Sequence, residues 1–106
     1  MSVKIATGIK TELWFLIVEY LKNENWSIVN EYNLFDKGID FDLYEFKKNN
    51  DKILMAWDNW MEGELKCTDE NFMKLEKYFN TQFSFEKGDK LYLSIPEIIK
   101  NYLKNK

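Results

Sequence analysis

Two residue types are missing from the 106-residue chain: it contains no histidine, and all fifteen of its basic residues are lysine. Without histidine there is no Ser-His or Cys-His catalytic pair, no near-neutral imidazole base and no zinc site of the usual kind. Without arginine there is no planar fork for bidentate binding of a phosphate or a carboxylate. These absences leave only carboxylate, lysine and metal-ion chemistry open, and the chain carries no complete set of catalytic residues.

Other features are scarce, and each scarcity narrows the class of protein. Cys67 is the only cysteine, so no intrachain disulfide can form and a reducing compartment is expected. The single proline and the four glycines are spread out, so residues 1–106 are predicted to form one domain. The longest strongly apolar run, residues 13–18, is too short to cross a bilayer, and the N-terminus lacks a signal-peptide pattern. We therefore expect a cytoplasmic protein that has no membrane partner.

Charge and aromatic content indicate a binding protein. The net charge is −3 and the pI is about 5.0, which disfavours a nucleic-acid backbone as the main partner. Aromatic residues make up 17% of the chain, more than a core of this size needs, so some are expected on a binding face. The acids are concentrated in residues 40–64, which have a local charge balance of −4. The acids of this segment are Asp40, Asp42, Glu45, Asp51, Asp58, Glu62 and Glu64.

Three helices are predicted from apolar periodicity and capping signals. In residues 9–23, apolar residues share one broad face of a helical wheel. They are Ile9, Leu13, Leu16, Ile17, Tyr20 and Leu21. A second helix should begin at Thr68, a good N-cap followed by two acids. Cys67 beside this helix start is either a thiol with a lowered pKa or, as is commoner, a small packing residue. Ser94 and Glu97, with a proline in the first turn, open a last helix.

Strands are predicted from apolar alternation and from turn signals between the runs. The candidates are residues 26–32, 39–46, 53–57, 61–66, 83–86 and 91–93. The last two of these read as a short hairpin between the second and third helices. The order of elements predicts an α+β fold, in which an antiparallel sheet of about four to five strands has helices packed mainly on one face.

Strand register decides which side chains share a face, because side chains alternate strictly along a strand. A three-residue loop between the second and third strands would place Leu43 opposite Trp57 and Asp42 opposite Asp58. A three-residue loop after Trp57 would place it opposite Met61. These registers collect the large apolar side chains on a core side: Ile39, Phe41, Leu43, Ile53, Met55, Trp57, Met61 and Leu65. The opposite side collects Asp40, Asp42, Tyr44, Phe46, Asp58, Glu62, Glu64 and Lys66.

This acidic and aromatic outer face has three interpretations. The first is an ordinary solvated sheet surface, on which carboxylates are common. The second is a docking site for a basic partner protein, since dense like charge speeds encounter with the opposite charge. Tyr44, Phe46 and Trp60 would then act as aromatic anchors.

The third interpretation is a Mg²⁺-dependent nuclease. Asp40 or Asp42, followed by Glu64 and Lys66 in Glu-x-Lys spacing, resembles the Asp…Glu-x-Lys pattern of restriction-endonuclease-like proteins. Two acids would hold the metal ion and the lysine would assist a water. The Glu-x-Lys lies one strand later than that family places it, and an acidic surface without arginine is a poor cradle for DNA.

Residues 41–66 carry a resemblance, above all in the Trp-Asp-Asn-Trp-Met-Glu-Gly-Glu stretch at 57–64. This segment resembles one found in small bacterial proteins of unassigned role, some of which are immunity partners of polymorphic or contact-dependent toxins. It covers about a quarter of the chain, rests on no catalytic motif and carries over no site residue. The resemblance implies a small acidic cytosolic α+β protein that binds and blocks a basic toxin domain.

The sequence therefore predicts a non-enzymatic protein-binding module of the immunity type, with no cofactor, no metal site and a basic protein partner. The predicted partner-binding residues are Asp40, Asp42, Tyr44, Asp58, Trp60, Glu62 and Glu64. The alternative is the Mg²⁺-dependent nuclease, or a degenerate relative of one.

Overall fold

The computed structural model describes residues 3–32, 37, 39–59 and 62–86. In this part of the chain the elements are β1 (Val3–Ile9), α1 (Thr11–Asn23), β2 (Ser27–Glu31), β3 (Phe41–Lys48), β4 (Asp51–Asp58), β5 (Glu62–Thr68), α2 (Asp69–Phe79) and β6 (Ser84–Glu86). The predicted strand at 91–93, the predicted last helix and Trp60 lie outside the described residues. Of the two described helices, neither has the length and apolar character that spanning a membrane requires.

The six described strands form one antiparallel sheet in the order β2-β3-β4-β5-β1-β6. The predicted α+β class is confirmed, with one strand more than expected. The additional strand is β1, which pairs with β5 on one side and β6 on the other. Ile5 and Ala6 of β1 point to opposite faces and are both buried, so this strand lacks the apolar–polar alternation of a half-exposed strand.

Both helices pack on one face of the sheet, which we call the helix face. The hydrophobic core lies between the helices and this face, and burial of its apolar surface is the main stabilising contribution. Its strand residues include Ala6, Tyr44, Phe46, Ile53, Met55, Trp57, Leu65 and Cys67. Its buried helix residues are Trp14, Ile17, Val18, Leu21, Phe72 and Leu75. The other side of the sheet, the far face, carries Leu43, Ala56, Asp58, Glu64 and Lys66.

Helix α1 is fixed to the sheet by Trp14, which is fully buried. Its indole Nε1 donates a hydrogen bond to the backbone oxygen of Glu64 at 3.2 Å. The ring lies against Gly63, and its centroid is 6.0 Å from that of Tyr44 and 6.4 Å from that of Trp57. One side chain thus joins α1 to three neighbouring strands.

Helix α1 ends through a left-handed residue. Asn25 has a φ of 69°, and the Trp26 amide donates to the Leu21 carbonyl at 3.1 Å. This six-to-one hydrogen bond closes the helix in the Schellman manner and turns the chain into β2. The predicted helix is therefore confirmed over residues 11–23.

Helix α2 begins where its capping signal predicts. The Thr68 Oγ1 accepts a hydrogen bond from the Asn71 backbone N–H at 3.3 Å, which satisfies one amide of the first turn. At the other end Asn80 adopts a φ of 53°. The two helices touch through aromatic rings, since the Tyr20 centroid lies 4.2 Å from that of Tyr78 and 5.5 Å from that of Phe79. The helices therefore form one layer.

The register of β3 against β4 differs from the prediction by one residue. Asn49 and Asn50 form a two-residue turn in place of the predicted three-residue loop. Asn49 has a φ of 56°, the left-handed conformation that asparagine tolerates in tight hairpin turns. Leu43 consequently lies opposite Ala56 and not opposite Trp57. A shift of one residue moves every side chain of β3 to the opposite face.

The register of β4 against β5 differs from the prediction by two residues. Met55 pairs with Leu65, and Trp57 pairs with Gly63. Because the side-chain period of a strand is two, an even shift leaves each side chain on its predicted face. Strands β4 and β5 therefore present the predicted faces, whereas β3 presents the reverse.

Candidate functional site

The predicted partner-binding residues do not share one surface. Asp42 and Tyr44 point to the helix face, whereas Asp58, Glu62 and Glu64 point to the far face. Of these five residues only Glu62 is exposed; the others are each 6% exposed or less. The prediction of one acidic and aromatic face is therefore wrong, because the short turn before β4 reverses β3. The four buried residues lie too deep to contact a partner protein directly.

Asp42 is buried, and its carboxylate is paired with the half-buried Lys37. Its Oδ1 accepts hydrogen bonds from the Lys37 Nζ at 2.7 Å and from the Leu43 backbone N–H at 2.9 Å. The Lys37 Nζ also lies 3.3 Å from a carboxylate oxygen of Glu31 and 4.1 Å from the centroid of the Tyr44 ring. A buried carboxylate is tolerated when it is paired and hydrogen-bonded in this way. Asp42 therefore serves to hold Lys37 against β3.

Burial and pairing shift the pKa values of these two groups in opposing directions. Burial raises the pKa of Asp42, and this effect exceeds the lowering by Lys37 and by the Leu43 N–H. Burial also lowers the pKa of Lys37, but its hydrogen bonds to Asp42 and Tyr44 outweigh burial and raise that pKa. An aspartate with a raised pKa holds its proton more tightly in the folded protein. Its contribution to stability therefore falls as the pH rises through the window above the ordinary aspartate pKa.

The far face also carries buried acids. Asp58 and Glu64 are 2% and 4% exposed, and Glu64 lies across the ladder from Ala56. Ala56 and Leu43 of the same face are themselves buried. An ordinary solvated surface therefore does not describe this part of the sheet. A lysine introduced at Asp58 would place its charge in a buried position, so that substitution is unsuitable as a surface test.

Asp42 and Glu64, two of the acids in the nuclease pattern, do not converge. Asp42 points to the helix face, and Glu64 and Lys66 point to the far face, so the sheet separates the two carboxylates. Across the described ranges, no three aspartate, glutamate or cysteine side chains approach one another closely enough to hold a metal ion. Asp42 and Glu64 therefore do not form the arrangement that this pattern requires, in which two carboxylates share one Mg²⁺. Asp40, the alternative first acid of the pattern, lies before β3 at the end of the sheet.

Two predicted acids do reach the surface at the same end of the sheet. The Asn59 N–H donates to the backbone oxygen of Asp40 at 3.0 Å, and Glu62 pairs with Asp58 where β5 begins. Ile39, next to Asp40, is 64% exposed, although the sequence predicted it on the core side. We call Ile39, Asp40, Asn59 and Glu62 the acidic end. It is what remains accessible of the predicted acidic face: Asp40 is half-buried and the other three residues are exposed.

Cys67 is a buried thiol on the helix face. Burial raises its pKa, and the nearby carboxylates of Asp51 and Asp69 raise it further. A protonated, inaccessible thiol neither attacks an electrophile nor binds a metal readily. The side chain belongs to the hydrophobic core, in agreement with the packing role expected for a lone cysteine.

We expect native Cys67 to react with a disulfide reagent such as DTNB, at about pH 8, roughly a hundredfold more slowly than in denaturant. The reaction requires both exposure and the thiolate, and folding removes both. The measurement is the time course of thionitrobenzoate release with and without urea. Similar rates in the two conditions would show that the thiol is accessible in the folded protein.

Comparison of the chain with models of protein families, with curated proteins and with solved structures gave no match. Its function therefore has to be inferred from its own residues.

Proposed function

We propose that the protein is a non-enzymatic protein-binding module of the immunity type, which binds a basic partner domain through the acidic end. The observation that carries this proposal is the exposure of an apolar side chain. Ile39 is 64% exposed, and it lies next to Asp40 and at the same end of the sheet as Glu62. An apolar anchor with charged neighbours is the usual composition of an interface centre and its rim.

A basic partner has the chemistry that complements this surface. Its lysine or arginine side chains would pair with Asp40 and Glu62, and an apolar patch would cover Ile39. Full burial of an isoleucine side chain contributes about 1.5–3 kcal/mol. The carboxylates contribute mainly to the rate of encounter and to the choice of partner.

Other properties of the chain support binding over catalysis. Histidine and arginine are absent from the sequence, Cys67 is buried, and the sheet separates Asp42 from Glu64. A cytoplasmic location is part of the proposal, since a reducing compartment suits a lone free cysteine. No observation on the described residues favours the nuclease alternative.

The test uses a double charge variant, Ile39→Lys with Glu62→Lys. Both residues are exposed, so the variant should fold normally. Wild type and variant serve as baits in lysate of the native cell, and a protein retained only by the wild type is then purified. We expect that protein to be basic, and its Kd for the wild type to rise with salt. The Kd for the variant should be at least about tenfold higher.

Glu19→Lys provides the matched control, because Glu19 is an exposed acid on α1 outside the acidic end. It changes the net charge by as much as the Glu62→Lys half of the double variant does. Loss of binding with Glu19→Lys would mean that total charge, and not the acidic end, governs binding. Equal affinity of the wild type and the double variant for the purified partner would disprove the assigned surface.

A further inference from the structure

The far face of the sheet is buried, although both described helices pack on the helix face. Leu43 lies opposite Ala56, which lies opposite Glu64, and Ile5 of β1 belongs to the same face. We call these four residues the far-face band, since they cross β3, β4, β5 and β1. Leu43 and Ile5 are each 2% exposed, and Ala56 is fully buried. Leucine and isoleucine side chains on a sheet face open to water would be largely exposed. The burial therefore requires a layer of chain on this face.

The length of the available segments decides which part of the chain can form this layer. Outside the described ranges the 106-residue chain has residues 1–2, 33–36, 38, 60–61 and 87–106. The far-face band crosses three strand spacings, about 14 Å at roughly 4.8 Å each. Residues 33–36 join Tyr32, which is bonded to β3, to Lys37, which pairs beside β3, so they cannot also cover Ile5 on β1. Of these segments only residues 87–106 are long enough.

Residues 87–106 also begin in a suitable place. Strand β6 ends at Glu86, which pairs with Ile5, so the chain leaves the described sheet beside one end of the far-face band. The helix that the sequence predicts after Ser94 would be about 18 Å long if it ran to residue 106, enough to cross the band. Its apolar residues have the spacing of a single helix face. They are Ile95, Ile98, Ile99 and Tyr102.

The charge of this segment complements the far face. Residues 87–106 contain five lysines and two acids, a net charge of +3. The far face buries two carboxylates, Asp58 and Glu64. A buried carboxylate is stabilised by nearby positive charge. Lysine side chains can also lie along an apolar surface with their ammonium groups in water. The apolar spacing and the charge of residues 87–106 therefore both suit this surface.

We propose that residues 87–106 cover the far face, with the apolar side of a helix after Ser94 packed on Leu43, Ala56 and Ile5. The sheet then lies between two helical layers, and its far face is closed to partner proteins. Asp58 and Glu64 serve as internal countercharges in this arrangement and not as partner-binding groups. The packing does not depend on a partner at the acidic end, so each can be tested without the other.

The test is a methyl NOE experiment on the ¹³C-labelled full chain. We expect NOEs from the Leu43 and Ala56 methyl groups to methyl groups of Ile98 or Ile99. Isotope-filtered spectra of a mixture of labelled and unlabelled chains separate contacts within one chain from contacts between two copies. If the NOEs of Leu43 and Ala56 lead to no residue of 87–106, or only to a second copy, the proposal is overturned.

A thiol on the far face provides a second measurement. Ala56→Cys is made in a Cys67→Ala chain, and the rate of its reaction with DTNB is followed. Adding Ile98→Asp should raise this rate at least about tenfold, because the cover is loosened. Lys104→Gln is the matched control: it lowers the net charge by the same amount on the opposite side of the predicted helix, and should leave the rate unchanged.

The native thiol shows whether Ile98→Asp still folds. Cys67 lies on the helix face, so in a chain that carries only Ile98→Asp it should remain as slow to react as in the wild type. Acceleration of both thiols would mean that the whole sheet has unfolded, and the NOEs of the unmodified chain then decide. An unchanged rate for the Ala56→Cys thiol in Ile98→Asp would overturn the proposed packing.

Discussion

Replacing Gly63 with alanine is expected to lower the free energy of unfolding by about 3 kcal/mol, the upper part of the range for overpacked cores. A Cβ at this position would lie 2.8 Å from the Cγ and 3.1 Å from the Cβ of Trp14, well inside van der Waals contact. The Trp14 ring has no room to retreat, since it is fully buried and its Nε1 is bonded to the Glu64 backbone oxygen. Urea denaturation monitored by far-UV circular dichroism measures the change.

Gly8→Ala is the matched control. Gly8 has a φ of 63°, but a Cβ there meets nothing within 4 Å. Alanine should therefore cost only about 1 kcal/mol, through the left-handed backbone conformation. Equal losses in the two variants would contradict the steric explanation. Adding Trp14→Leu to Gly63→Ala should then cost less than the sum of the two single changes, because the two residues are in contact.

Replacing Lys37 with methionine is expected to lower the free energy of unfolding by about 2–3 kcal/mol at neutral pH. The variant leaves the Asp42 carboxylate buried without its cation, a defect that costs about 3–5 kcal/mol when both partners are fully buried. The Lys37 side chain is 30% exposed, so water reduces the loss. Asp42→Asn in the same chain removes the unpaired charge and should restore most of the stability.

The deficit of Lys37→Met should shrink in acid. Without Lys37, burial and the nearby Glu31 carboxylate are opposed only by the Leu43 N–H, so the folded pKa of Asp42 rises further above the ordinary value than in the wild type. The folded variant then binds a proton that the unfolded chain releases, and its stability relative to wild type increases as the pH falls through that window. Urea titrations at about pH 4 and about pH 7 measure this. A deficit independent of pH would contradict the assigned role of Asp42.

Local signals predicted most of the elements, but they missed β1 and gave the wrong buried face for α1 and β3. Thr68 began α2 as expected, because an N-cap depends only on the next few residues. In α1, residues 13–18 are apolar on every side, so a helical wheel ranks its faces poorly. The helix turns Trp14 to the sheet because Gly63 leaves space there, and Leu16 remains 57% exposed.

The prediction of a single acidic face is wrong because of one loop residue. Local rules allow hairpin turns of two or three residues, and the cost of burying acids favours the longer one. The buried Asp42 is an exception to that rule, because Lys37, which lies just outside the predicted strand at 39–46, supplies its countercharge.

The Asn49-Asn50 turn also limits which insertions and deletions the β3–β4 hairpin can accept. Point mutations in the turn change only its local conformation, but one extra codon that entered the strand ladder would turn β3 over. Such an insertion would exchange Leu43 and Asp42 between the two faces of the sheet. Lys37 would then lose its ion pair with the Asp42 carboxylate. Two extra codons would preserve the arrangement. The hairpin should therefore tolerate insertions or deletions of two residues, which keep each side chain of β3 on its face, but not those of a single residue.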